Sequence, residues 1–175
     1  MARILLLYST TDGHTVKICN CLQQVIEQQA HQVTLASVKD SRDVDLSSFD
    51  KIVIGASIRY GKHSPLVVDF INRNAQRLDS KPNAFFSVNI VARKSEKNQP
   101  DTNPYMQKFL KQISWSPKKL AVFAGKLDYP RYGFFDRLAI RFIMLMTKGP
   151  TDPKAVVEFT DWRQVEAFAQ VVSRM

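Results

Sequence analysis

Cysteine is scarce in this chain: Cys19 and Cys21 are the only two among 175 residues. Two positions apart on a helix, they face different ways, which argues against a mutual disulfide. No metal-ligand spacing accompanies them, so no metal is expected. Long apolar runs are missing as well. The N-terminal run, residues 4–8, is too short for the hydrophobic region of a signal peptide, and none approaches the roughly 20 residues needed to span a bilayer. Acidic residues are few: 16 against 25 Lys and Arg, for a net charge of +9. That balance leaves an anionic partner to be found, whether nucleic acid, an acidic membrane surface or an anionic substrate. A recognised nucleic-acid motif is also lacking, so that first option rests on charge alone and none is expected.

What is present reads as one globular domain over residues 1–175, with 45% apolar residues and enough length for a sizeable core. The stretch RILLLYSTTDGHT, residues 3–15, organises the rest. A short buried strand gives way to Ser9, Thr10, Thr11, Asp12, Gly13 and His14, and Thr15 opens a helical pattern. Hydroxyls and unpaired backbone N–H groups at a helix N-terminus make an anion site. The loop holds no lysine and fits neither G-x-x-x-x-G-K-[ST] nor G-x-G-x-x-G, so it suits one terminal phosphate monoester. An ordinary helix cap would use the same residue types.

Helical spacing sets Val16, Ile18, Cys19, Leu22, Val25 and Ile26 mostly along one face of residues 15–30. Residues 32–38 read as an edge-like strand, and 39–50 as a polar surface loop. Apolar runs at 51–56, 84–92 and 119–125 read as further strands. Helices are expected at 66–78, with Pro65 at its first turn, and at 104–113. Strands that are continuous apolar runs alternating with helices predict an α/β fold, a parallel sheet covered on both faces. Ligands bind outside the carboxyl ends of such strands, where loops 9–15, 57–64 and 92–98 would gather.

An insertion at 126–154 precedes a short strand and a final helix, with Asp161 as N-cap. Its core, residues 134–146, is apolar apart from Asp136, Arg137 and Arg141, and the two arginines share one narrow stripe. A helix this apolar must pack on the domain, meet a partner or lie at a membrane surface.

Residues 8–15 resemble the phosphate loop of flavodoxins. The resemblance implies a doubly wound five-stranded parallel sheet in the order 2-1-3-4-5, and FMN held by its phosphate at residues 9–15. In GASIRYG, residues 55–61, Tyr60 stands where flavodoxins stack a ring on the isoalloxazine, Gly61 lets the backbone approach, and Ser57, Ile58 and Arg59 line the edge. A surface tyrosine in a turn is the plainer reading. After the fourth strand Asn89, Ile90, Val91 and Ala92 would border the flavin, with no aromatic where many flavodoxins place a second ring. His14 and His63 lie in these loops, either as proton shuttles or as solvent-facing turn residues. The flavin carries the chemistry, so no catalytic acid or base is assigned.

The segments VIGASIRYGKHS (53–64), FFSVNIVARKSEK (85–97), LDYPRYGFFDRLAIRFIM (127–144) and VEFTDW (157–162) carry a sharper resemblance. They are similar to the menaquinone-dependent protoporphyrinogen IX dehydrogenases of bacterial haem synthesis, FMN enzymes with a long insertion before the last helix. This implies dehydrogenation of protoporphyrinogen IX in three two-electron steps, with electrons leaving through FMN to a membrane quinone. It implies a peripheral location on the cytoplasmic face of the inner membrane. Arg93, Arg131, Arg137 and Arg141 would meet substrate propionates or lipid phosphates. The alternative is a flavodoxin-type electron-transfer module docking an acidic redox partner.

Overall fold

The computed structural model describes residues 1–41 and 44–175. Strand β1 (Arg3–Ser9) leads into α1 (His14–Glu27), then β2 (Gln32–Ser37) and β3 (Lys51–Arg59). A two-residue strand, β4 (Lys62–His63), folds back on β3 before α2 (Pro65–Asp79). Then come β5 (Asn83–Val88), α3 (Pro104–Leu110) and β6 (Lys119–Phe123). The main sheet runs β2-β1-β3-β5-β6, all parallel, which is the expected order of the five long strands.

The continuous apolar runs are explained by two cores. Side chains alternate along a strand, so Leu5, Leu7, Ile52 and Ile54 pack beneath α2 and α3, while Ile4, Leu6 and Val53 meet α1 and the C-terminal helix. Ser64 caps α2 through the Leu66 amide, and Pro65 occupies its first turn.

Element ends differ from the sequence reading where distant or local hydrogen bonds intervene. β3 continues to Arg59, so Ser57, Ile58 and Arg59 are strand rather than loop, held by the pairs Ile58↔His63 and Arg59↔Lys62. β5 stops at Val88 because the Asn89 side chain accepts from the Ala92 amide and bends Ile90–Arg93 into a 3₁₀ turn. α1 ends at Glu27, and Ala30 takes the positive φ, 61°, of the turn that follows.

The insertion opens with β7 (Lys126–Asp128), carries α4 (Phe134–Met146) and closes with β8 (Val156–Glu158). β7 and β8 pair antiparallel in their own ribbon, apart from the main sheet. The final helix, α5 (Trp162–Arg174), is capped by Asp161 as expected. Among the described residues no helix is long and apolar enough to cross a membrane.

Candidate functional site

The carboxyl ends of β1, β3, β5 and β6 surround a cavity of about 230 Å³, and α4 lies across it. At one end is the strand-to-helix turn. Gly13 holds φ 85° at the N-cap, a conformation glycine adopts freely, and no side chain caps α1. The Thr10 hydroxyl accepts from the Gly13 amide at 3.0 Å, and so shapes the loop without reaching the helix. Thr15 is buried and its hydroxyl has no partner among the described residues. An uncapped helix start beside an orphaned hydroxyl suits an anion with several acceptor oxygens. His14 lines the same end, its Nε2 2.6 Å from the Thr160 hydroxyl. That hydroxyl donates to the Ala124 carbonyl, so it accepts from Nε2–H. Burial lowers the His14 pKa, reinforced by Lys17 and Lys126 and opposed by Glu158.

The middle of the cleft is made by the β3–β4 hairpin and the turn after β5. Ser57, Ile58, Arg59, Tyr60 and Gly61 line one side, and Asn89, Ile90 and Val91 the other. Asn89 is buried and its side chain is fully engaged. Its Nδ2 donates to Ser87 and Asn103, and its Oδ1 accepts from Ala92 and Asn103. Its contribution is therefore the shape of the turn, which presents Ile90 and Val91. His63 lies behind, 2.8 Å from the Ser87 hydroxyl and packed against Phe85 and Phe109. Burial pushes its pKa down to about 4, which makes it a neutral buried group rather than a solvent-facing one. Ser9, Gly13 and Ala92 are not among the lining residues, and Ala92 is buried in the core.

The insertion forms the remaining wall. Tyr132, Asp136, Ala139, Ile140, Ile143 and Met144 face the cleft, with Tyr105 of α3 and Gly125 and Lys126 after β6. The sequence reading passed over these residues. Gly125 and Lys126 had a signal, since they follow a strand at its carboxyl end; Tyr105 and the α4 residues arrive only through tertiary packing.

The four arginines assigned to anions all bond backbone oxygens. Arg131 Nη1 donates to Asp12 O at 3.2 Å, Arg137 Nη2 to Tyr132 O at 3.2 Å and Arg141 Nε to Thr151 O at 2.9 Å. Arg93 Nη2 holds the C-terminal end of α4 through Thr147 O and Oγ1. Arg59, from the hairpin, instead meets a carboxylate: Arg59 and the Tyr60 hydroxyl both bond Asp136 on α4.

α4 turns its charged residues inward beside Ile140 and Met144 and leaves a broad apolar face outside. Phe134, Phe135, Leu138, Phe142, Ile143, Leu145 and Met146 are all exposed, from 48% to 82%, and only Met144 is buried.

A family model described as the flavodoxin domain matches residues 5–154. A protein of Leishmania major named protoporphyrinogen IX dehydrogenase (quinone) is 45% identical over 168 residues, covering 95% of this chain and 73% of its own. The protein of that name from Escherichia coli K12 is 43% identical over 173 residues, covering 99% and 96%. Among solved structures, oxidised flavodoxin 1 from Bacillus cereus superposes with a TM-score of 0.54 at 14% identity, over 98% of this chain and 97% of that one. An archaeal flavodoxin gives 0.52 at 12% identity, over 98% and 96%.

Proposed function

The chain belongs to the flavodoxin domain family, among the quinone-linked protoporphyrinogen IX dehydrogenases, and we propose that it oxidises protoporphyrinogen IX to protoporphyrin IX through FMN. Electrons pass to a membrane quinone, menaquinone, as a step of haem synthesis. FMN fits the cleft by its donors. The orphaned Thr15 hydroxyl, Thr10, Thr11 and the free amides at the start of α1 would hold the phosphate. Tyr60, Ile58, Ile90 and Val91 would border the ring system. When bound, FMN supplies the hydride and electron chemistry. The chain's own part is to orient it, exclude water with Ile140, Ile143 and Met144, and leave an apolar slot beneath α4 for a flat substrate.

One observation carries the reading beyond a carrier: α4, laid across the cleft, exposes a broad apolar outer face. An electron carrier has no use for seven exposed large apolar side chains on one helix, whereas an enzyme taking a lipid-soluble quinone does. We place the protein peripherally on the cytoplasmic face of the inner membrane, as one domain with residues 126–154 as its membrane-facing insertion. The net charge of +9 adds attraction to anionic lipid, about 1 kcal/mol for each basic residue at the surface.

The test is anaerobic mixing of FMN-loaded protein with protoporphyrinogen IX and menaquinone-bearing vesicles, followed by porphyrin fluorescence. Porphyrin formation that requires the quinone is expected. Loaded protein that exchanges electrons with an acidic redox protein yet forms no porphyrin is instead a flavodoxin-type carrier.

A further inference from the structure

We propose that Arg59 and the Tyr60 hydroxyl form a carboxylate-binding fork at the mouth of the cleft, and that Asp136 occupies it as an internal stand-in for a substrate carboxylate. This rests on the reading above, in which the substrate carries two propionates.

Among the cleft-lining residues only Arg59 and Lys126 are ordinary cations, and Lys126 is paired with Asp128 at 3.0 Å. The arginines of the insertion are bound to carbonyls, bonds that fasten backbone and would be lost if the side chains left. Arg59 differs. Its partner is a carboxylate from another element, and the two Asp136 oxygens divide between Arg59 Nη2 and Tyr60 Oη as a two-point contact. One charged and one neutral donor, each on its own carboxylate oxygen, bind a carboxylate through charge-assisted hydrogen bonds.

The contact is built to exchange. Solvent reaches the contact from the Arg59 side, whose side chain is 41% exposed against 18% for Asp136, and water competes for ion pairs that it reaches. Asp136 has a second stabilising place, because it lies in the first turn of α4, where the helix dipole favours a negative charge in solvent. Asp12 sits 3.8 Å from Arg59 Nη1 and keeps the guanidinium oriented when Asp136 leaves. Behind the fork, Ile58, Ile140 and Ile143 supply an apolar wall for the ring that bears the carboxylate.

The experiment measures binding of protoporphyrin IX and of its dimethyl ester, in one detergent, to the FMN-loaded protein. Wild type is expected to prefer the diacid. Asp136→Asn and Asp136→Ala should each tighten the diacid several-fold and leave the ester unchanged, while Arg59→Gln should abolish the preference. Equal tightening of both ligands would mean that α4 has merely loosened, and would overturn the exchange. A preference surviving Arg59→Gln, or absent from wild type, would overturn the fork. Porphyrinogen turnover is scored separately: its failure with the binding pattern intact sinks the oxidation reading and leaves the fork standing.

Discussion

Tyr60 is a non-glycine residue in the left-handed region, with φ at 50° followed by Gly61 at 73°. Two positive φ values in a two-residue loop match the twist of the β3–β4 hairpin, but a tyrosine in that conformation costs roughly 1–2 kcal/mol. The side chain is 73% exposed, so core packing does not offset this cost. Strain kept at a cleft is consistent with a ligand-stacking role. Asn tolerates the left-handed region, so Tyr60→Asn is expected to leave the FMN-free protein at least as heat-stable while weakening FMN binding tenfold or more. A titration of flavin fluorescence beside a thermal melt checks both; unchanged affinity removes the stacking role.

His63 gives the pH dependence. Its pKa falls from 6.5 unfolded to about 4 folded, so the unfolded chain takes up the proton first as pH drops. Stability is complete above 6.5 and lost progressively towards pH 4, on the order of 3 kcal/mol from this residue. Urea unfolding at pH 7.5 and 4.5 should show wild type losing more than His63→Gln, and parallel losses would refute the assignment. Because His63 supports Ser87 and hence Asn89, acid should also release FMN through the turn after β5.

At the scale of elements, α4 shows what a sequence can and cannot disclose. Its bounds, Phe134–Met146, follow the apolar segment read from the sequence. Which face turns inward does not follow, because the usual rule buries the apolar side. Here Asp136 is claimed by the distant hairpin, and Arg137 and Arg141 by the backbone at Tyr132 and Thr151, partners outside the helix itself. The strand-to-helix turn after β1 was legible because every residue of it is local. The end of β5 was not, since Asn103, 14 positions away, helps hold the Asn89 that breaks it. Burying an exposed Phe or Leu fully contributes about 1.5–3 kcal/mol, so several together suffice for surface binding. Replacing Phe135, Phe142, Leu145 and Met146 with Ser is expected to abolish co-sedimentation with anionic vesicles while flavin absorbance persists. Undiminished sedimentation would assign membrane contact to charge alone.

Across the whole molecule, the loops that follow β1, β3 and β5 each meet the insertion through an arginine contact. Arg131 reaches back to Asp12, Arg59 reaches Asp136, and Arg93 reaches Thr147. Whatever settles those loops settles the position of α4, so cofactor loading and the pose of the apolar face are linked. The β7–β8 ribbon adds a different consequence. Lys126 and Glu158 are cross-strand partners, and the Phe159 amide donates to Gly125 O at 3.0 Å, so the chain leaves the parent domain and rejoins it at one point. Such a junction behaves as a splice site: all that lies beyond it can be excised and the stump closed with a two-residue turn. A trimmed chain of this kind should retain flavin colour and become a plain electron shuttle, and colourless protein would show that the graft has grown into its host.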